Sequence, residues 1–172
     1  MSFGVAHSEV AVAFAGAAPH GLSHGYMLAF PCSYERRNEP HSEHEEPLKS
    51  TGVSASNVSR AFESIGFKPS MHADLGAAYI VGTVAGAAQA LRSSDVLVVY
   101  FCGHGFARGT TQFIIANDGK YFDVETFCTV VSQATSGKGL QNVTLLVLLD
   151  CCRDYTERTS TGNLRVGLDD IC

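Results

Sequence analysis

The chain has 172 residues, enough for one domain with a real core, and its 45% hydrophobic and 17% charged residues exclude wholesale disorder. A formal charge of -5 at pH 7, without a Lys/Arg cluster, argues against nucleic acid or a membrane surface as the main partner, and no apolar run reaches membrane-spanning length. There are 6 cysteines, three of them in or beside apolar strand or helix patterns, so a reduced, cytoplasmic setting is expected instead of a disulfide framework.

Residues 1–24 are rich in Ala, Gly and His and read as an N-terminal extension. Within it, Val10 to Phe14 could add a strand or packed arm, while the absence of Lys or Arg before Val10 argues against a secretory signal. Gly25 to Phe30 reads as the first core strand. Glu35 to Lys49 combines high charge with proline and reads as a loop, in which His41 and His44 beside glutamates have no fixed metal-binding geometry. Ser54 to Ile65 has helical spacing, with Ser54 or Ser56 as cap, Val58, Ala61, Phe62 and Ile65 on one face, and Gly66 as the stop. Phe67 to His72 is a second strand that Pro69 confines to a sheet edge. A second helix is expected over Leu75 to Arg92, where Ala and Gly alternate with larger apolar residues.

The most informative stretches are Ser94 to Gly105 and Val143 to Arg153. Each is a short, nearly continuous Val/Leu-rich run that breaks into polar residues, the pattern of a parallel strand buried on both faces. Between them, Ala107 to Thr111 reads as a mobile loop. Gln112 to Ala116 and Lys120 to Phe122 form a hairpin through Asn117-Asp118-Gly119, and Asp123 caps a third helix that buries Val124, Phe127, Val130 and Val131. Ser136-Gly137-Lys138-Gly139 ends that helix and lacks the context of a phosphate-binding loop. Alternating strands and helices imply an α/β fold, a three-layer sandwich with a mostly parallel sheet and helices on both faces.

In an open parallel sheet the strand C-terminal ends share one edge, which brings His104 beside the Cys151-Cys152 pair. An imidazole next to a thiol can take its proton and create a nucleophilic thiolate, the minimum of a cysteine hydrolase. Gly103 and Gly105 flank the histidine, where the absence of Cβ permits close backbone approach and frees N–H groups for an oxyanion. Alternation turns adjacent residues to opposite sides, so only one of the two cysteines can face His104.

The strings Tyr100-Phe-Cys-Gly-His-Gly105 and Leu148-Leu-Asp-Cys-Cys-Arg153 resemble the His and Cys motifs of the caspase, paracaspase and metacaspase clan. Their 48-residue separation is close to that clan's spacing of about 50. The resemblance spans roughly residues 25–155. It implies sheet order 2-1-3-4, Cys152 as nucleophile because it directly precedes Arg153, His104 as its base, and Gly105 with the Cys152 N–H as oxyanion hole. It also makes Asp150 a substrate-binding residue: paracaspases and metacaspases, which carry Asp there, cleave after Arg or Lys, and a carboxylate attracts a cation while repelling an anion. Many relatives add a second pocket Asp in an Asn-Asp-Ala string; here the matching residues are Val53-Ser54-Ala55. Cys102, where relatives often have Ser, could join His104 and Cys152 in adventitious zinc binding, but no metal site or cofactor is expected beyond the calcium activation some metacaspases show. The expected partners are protein or peptide substrates, and a small subunit or second protomer that pairs with the strand ending at Leu149. Residues 156–172 resemble the linker toward such a subunit. The competing reading is a catalytically silent, caspase-like interaction module, favoured by Ser54 and by the unpaired sheet edge.

Overall fold

The computed structural model describes residues 24–34 and 48–151. The Val10 to Phe14 arm, most of the charged loop with His41 and His44, Cys152, and the 156–172 tail lie outside the described residues. The elements run β1 (Gly25–Pro31), α1 (Thr51–Ser64), β2 (Phe67–Met71), α2 (Ala77–Ala90), β3 (Val96–Gly103), β4 (Gly105–Arg108), β5 (Thr111–Ile115), β6 (Tyr121–Asp123), α3 (Glu125–Ser136) and β7 (Thr144–Cys151).

Four strands form a parallel sheet in the order β2-β1-β3-β7, with every neighbouring pair parallel. This is the expected 2-1-3-4 order, β7 being the fourth core strand. The two central strands show why. Along β3, Leu97, Val99 and Phe101 join one core with Ile80 and Val84 of α2 and Phe127 and Val131 of α3. Val98, Tyr100 and Cys102 point the other way, into a core with Ala55 and Phe62 of α1. A strand whose alternate residues both meet helices must be apolar throughout, and β3 is.

Several local expectations shift. The first helix begins at Thr51 with Ser50 in the N-cap position and no side-chain cap, so Ser54 and Ser56 lie inside it, and the Ser56 hydroxyl bonds back to the Gly52 carbonyl at 2.8 Å. Its inward stripe is Thr51, Ala55, Val58 and Phe62, at helical spacing, which leaves Ala61 and Ile65 exposed. Gly66, at φ +95°, provides the stop. The second helix is shorter than expected at both ends. The third has its expected cap: the Asp123 carboxylate accepts the Thr126 N–H at 2.9 Å and the Thr126 hydroxyl at 2.8 Å.

The expected loop at Ala107 to Thr111 is largely a strand. β4 pairs with β5 through Phe106 opposite Phe113 and Arg108 opposite Thr111, and the turn passes through Gly109 at φ +59°. Stacked rings of Phe106 and Phe113, 4.9 Å apart, favour the pairing, and a two-residue turn with positive φ matches strand twist. With β6 the result is a small antiparallel sheet, β4-β5-β6. Among the described residues no helix is long and apolar enough to cross a membrane.

Candidate functional site

The site forms where β3 and β7 end together. Their register pairs Cys102 with Asp150 and Gly103 with Cys151. The next residue of one strand is His104; that of the other is Cys152, outside the described residues.

His104 sits at the junction of β3 and β4, and its backbone is held on both sides. Its N–H donates to the Tyr34 hydroxyl at 2.9 Å and its carbonyl accepts the Ile115 N–H at 3.0 Å. The Tyr34 hydroxyl in turn donates to the Ile115 carbonyl at 2.6 Å, and its ring lies 4.6 Å from the His104 ring. Tyr34 is buried with φ of 61°, an uncommon backbone state for a bulky residue. It is secured from the preceding position, where the Ser33 N–H and hydroxyl both donate to Asp74 at 2.6 and 2.9 Å. Tyr34→Phe removes the hydroxyl that links His104 to Ile115, and is expected to lower unfolding free energy by about 1–3 kcal/mol, read by urea denaturation. Unchanged stability would show that water replaces the bridge.

Both glycines around His104 are required by packing. A Cβ at Gly103 would lie 2.7 Å from the Tyr34 hydroxyl and 2.8 Å from Phe101; one at Gly105 would lie 2.8 Å from both Cys151 Sγ and the Phe113 carbonyl. The space at each is thus filled by the protein itself. Cys151 is half-buried over Gly105 and accepts a weak hydrogen bond from Gln112 Nε2 at 3.8 Å. It packs with the α2/α3 core, on the face opposite Cys102, consistent with a small apolar residue.

Asp150, on the α1 side, is exposed, and its Oδ2 accepts the Tyr100 hydroxyl at 2.9 Å and the Cys102 thiol at 3.5 Å. Ser54 of α1 acts on the same thiol, drawing its pKa slightly down. Burial first, and the Asp150 charge second, push the Cys102 thiol up to about 12, so it is a protonated donor at neutral pH. Tyr100 is pushed up too, by burial and then by its Cys102 and Asp150 neighbours. Cys32, at the end of β1, is pushed up to about 12 by burial and by Asp74. Among the described residues no group of three His, Cys, Asp or Glu could hold a metal.

Two members of this cluster are not evident in the sequence. Tyr100 reads as one more core residue of β3, and it meets Asp150 only because the register pairs Tyr100 with Leu148, two residues before Asp150. Gln112 reads as the first residue of a hairpin strand. A side chain lying diagonally across a ladder is predictable only once the register is known.

The fold is thus that of a parallel α/β protein with its candidate site at the carboxyl ends of two adjacent strands. The peptidase C14 family model, described as a caspase domain, matches residues 33–167, and the chain belongs to that family. Among solved structures, the crystal structure of protein GSU0716 from Geobacter sulfurreducens is similar, with a TM-score of 0.57 and 16% identity over 75% of this chain. At that identity the likeness is one of fold, and the chain spans about half, 50%, of the length of that protein. A search of curated proteins finds no match.

Proposed function

We propose that the protein is a cysteine endopeptidase that cleaves after Arg or Lys, with Cys152 as nucleophile and His104 as its general base and acid. The observation that carries the reading is the register of β3 against β7. It pairs Gly103 with Cys151, and each strand's next residue is a member of the proposed dyad. Strand alternation favours Cys152 over Cys151. Cys151 faces the α2/α3 core and Gly105, while Asp150 and Cys102 face the other way, the side to which residue 152 returns if the alternation persists.

In the mechanism, His104 takes the Cys152 proton as sulfur attacks the scissile carbonyl, and the N–H groups of Gly105 and Cys152 stabilise the oxyanion. His104 then gives its proton to the departing amine, leaving an acyl-thioester. Water, deprotonated by His104, hydrolyses the thioester and restores the thiol. Asp150 receives the cationic side chain of the residue before the cleaved bond. The catalytic domain is taken as residues 25–155 with 156–172 as linker. Calcium activation remains a family-based proposal with no assigned residues.

The edge position of β7 supports a protein partner. Leu145 to Leu149 are only half-buried, and β7 has one strand neighbour among the described residues. An apolar edge of this kind is stabilised when covered, and a small subunit or second protomer pairing beside Leu149 would do so.

The test uses fluorogenic peptides ending in Arg, Lys or Asp, with and without calcium. Turnover after the cations but not after Asp, reduced about a hundredfold or more by Asp150→Asn, is the expected outcome, since the substitution removes the carboxylate that attracts the cation and forms its charge-assisted hydrogen bonds. Cleavage after Asp, or indifference to Asp150→Asn, would overturn the assignment of the pocket. Silence with every peptide, with oligomer or partner binding retained, would favour the interaction-module reading.

A further inference from the structure

We propose that Tyr100 and Cys102 fix the specificity of the pocket by engaging one of the two Asp150 carboxylate oxygens, so that Lys is accepted about as well as Arg. The inference rests on the reading of Asp150 as the cation-binding residue and goes beyond it, to how that residue divides the two cations.

Each carboxylate oxygen offers two lone pairs, and a guanidinium reaches full strength when it takes both oxygens in a planar, bidentate pair. Here Oδ2 already receives two donors, the Tyr100 hydroxyl at 2.9 Å and the Cys102 thiol at 3.5 Å. Among the described residues none donates to Oδ1, and the Asp150 side chain is exposed. An incoming guanidinium therefore meets one oxygen and loses the advantage of its fork. An ammonium acts as a compact point charge and needs only one.

Three further features sustain this arrangement. Tyr100 and Cys102 are 4% and 5% exposed on a central strand, so neither can swing away to release Oδ2. Ser54, which acts on the Cys102 thiol from α1, is a neutral hydroxyl and supplies no second carboxylate to restore a two-point contact. The proton on the Tyr100 phenol is held more firmly than usual by burial, which keeps it a donor across the working pH range.

The test compares kcat/KM for matched fluorogenic peptides ending in Arg and in Lys, on the protein, on Tyr100→Phe and on Asp150→Asn, each checked by thermal unfolding. The protein is expected to show an Arg/Lys ratio within about threefold. Tyr100→Phe frees one lone pair of Oδ2 and should raise the ratio about five- to tenfold, through a lower KM for the Arg peptide with kcat little changed. A merely structural role for the hydroxyl would weaken both peptides alike and leave the ratio where it was. The same ratio is read without turnover from the affinities of Cys152→Ala for the two peptides. Should the protein favour Arg tenfold or more, or Tyr100→Phe leave the ratio unmoved while Asp150→Asn abolishes both activities, the role of Tyr100 is wrong and the cationic pocket stands. Should Asp150→Asn have no effect on either peptide, in turnover or in binding, the cationic pocket is wrong and the inference falls with it.

Discussion

Cys152→Ala and His104→Ala are each expected to reduce peptide hydrolysis by about 10³-fold or more, and the double variant is expected to be hardly worse than either alone. Two groups that share one proton act as a unit, so removing one disables the other and the losses do not add. Cys151→Ala serves as the contrast. Cys151 lies against Gly105 and Gln112 and packs toward the α2/α3 core, so its loss should lower stability modestly and leave the chemistry intact. Steady-state rates with the best cationic peptide, together with stoichiometric labelling by a peptidyl thiol-reactive inhibitor and mapping of the modified cysteine, read both effects. Labelling of Cys151, or a Cys151→Ala variant as inactive as Cys152→Ala, would exchange the two assignments. Additive losses in the double variant would mean that His104 and Cys152 do not share a proton.

The sheet was legible because β3 and β7 are apolar on both faces, a property that only a doubly covered parallel strand requires. Strand order was legible through the resemblance alone, since periodicity carries no information about which strands are neighbours. The hairpin after His104 was half legible. Asn117-Asp118-Gly119 announced its second turn, whereas Arg108-Gly109-Thr110 read as a loop because its polar residues conceal the Phe106 to Phe113 pairing. The start of α1 was misplaced for a similar reason. Ser54 and Ser56 offer capping signals, but the helix starts ahead of both, at Thr51, with Ser50 in the cap position and no side-chain cap. The role of Tyr34 is not legible in the sequence, since its bridge from His104 to Ile115 depends on a contact between residues 81 positions apart. The polar group around Asp150 stayed hidden because it is assembled across a ladder and from α1, and each member taken singly looks like ordinary strand or helix composition.

Those same buried groups make the fold sensitive to alkali. Cys32 and Cys102, with 0% and 5% of their surface exposed, keep their protons up to about 12, while in the unfolded chain a thiol ionises near 8.5. Above pH 9 the folded state therefore binds more protons than the unfolded state, and stability must fall as pH rises. It is fully present below about pH 8.5 and is lost progressively as pH climbs toward 12. Each thiol contributes about 1.4 kcal/mol per pH unit in that window, so the pair would remove roughly 5 kcal/mol by pH 10.5, a large part of the 5–15 kcal/mol typical of a domain. Tyr100, raised from its ordinary value near 10, adds to the loss above that pH. Urea unfolding at half-unit steps from pH 7 to 10.5 should show a plateau followed by this decline, and Cys32→Ala with Cys102→Ala should flatten it. The mechanism also predicts that iodoacetamide at pH 8 modifies exposed Cys128 at least a hundredfold faster than Cys32 or Cys102, because alkylation requires an accessible thiolate. Stability that stays level to pH 10.5, or rapid alkylation of Cys102 in the folded protein, would mean that water reaches these thiols and the proton on Cys102 is not held against Asp150.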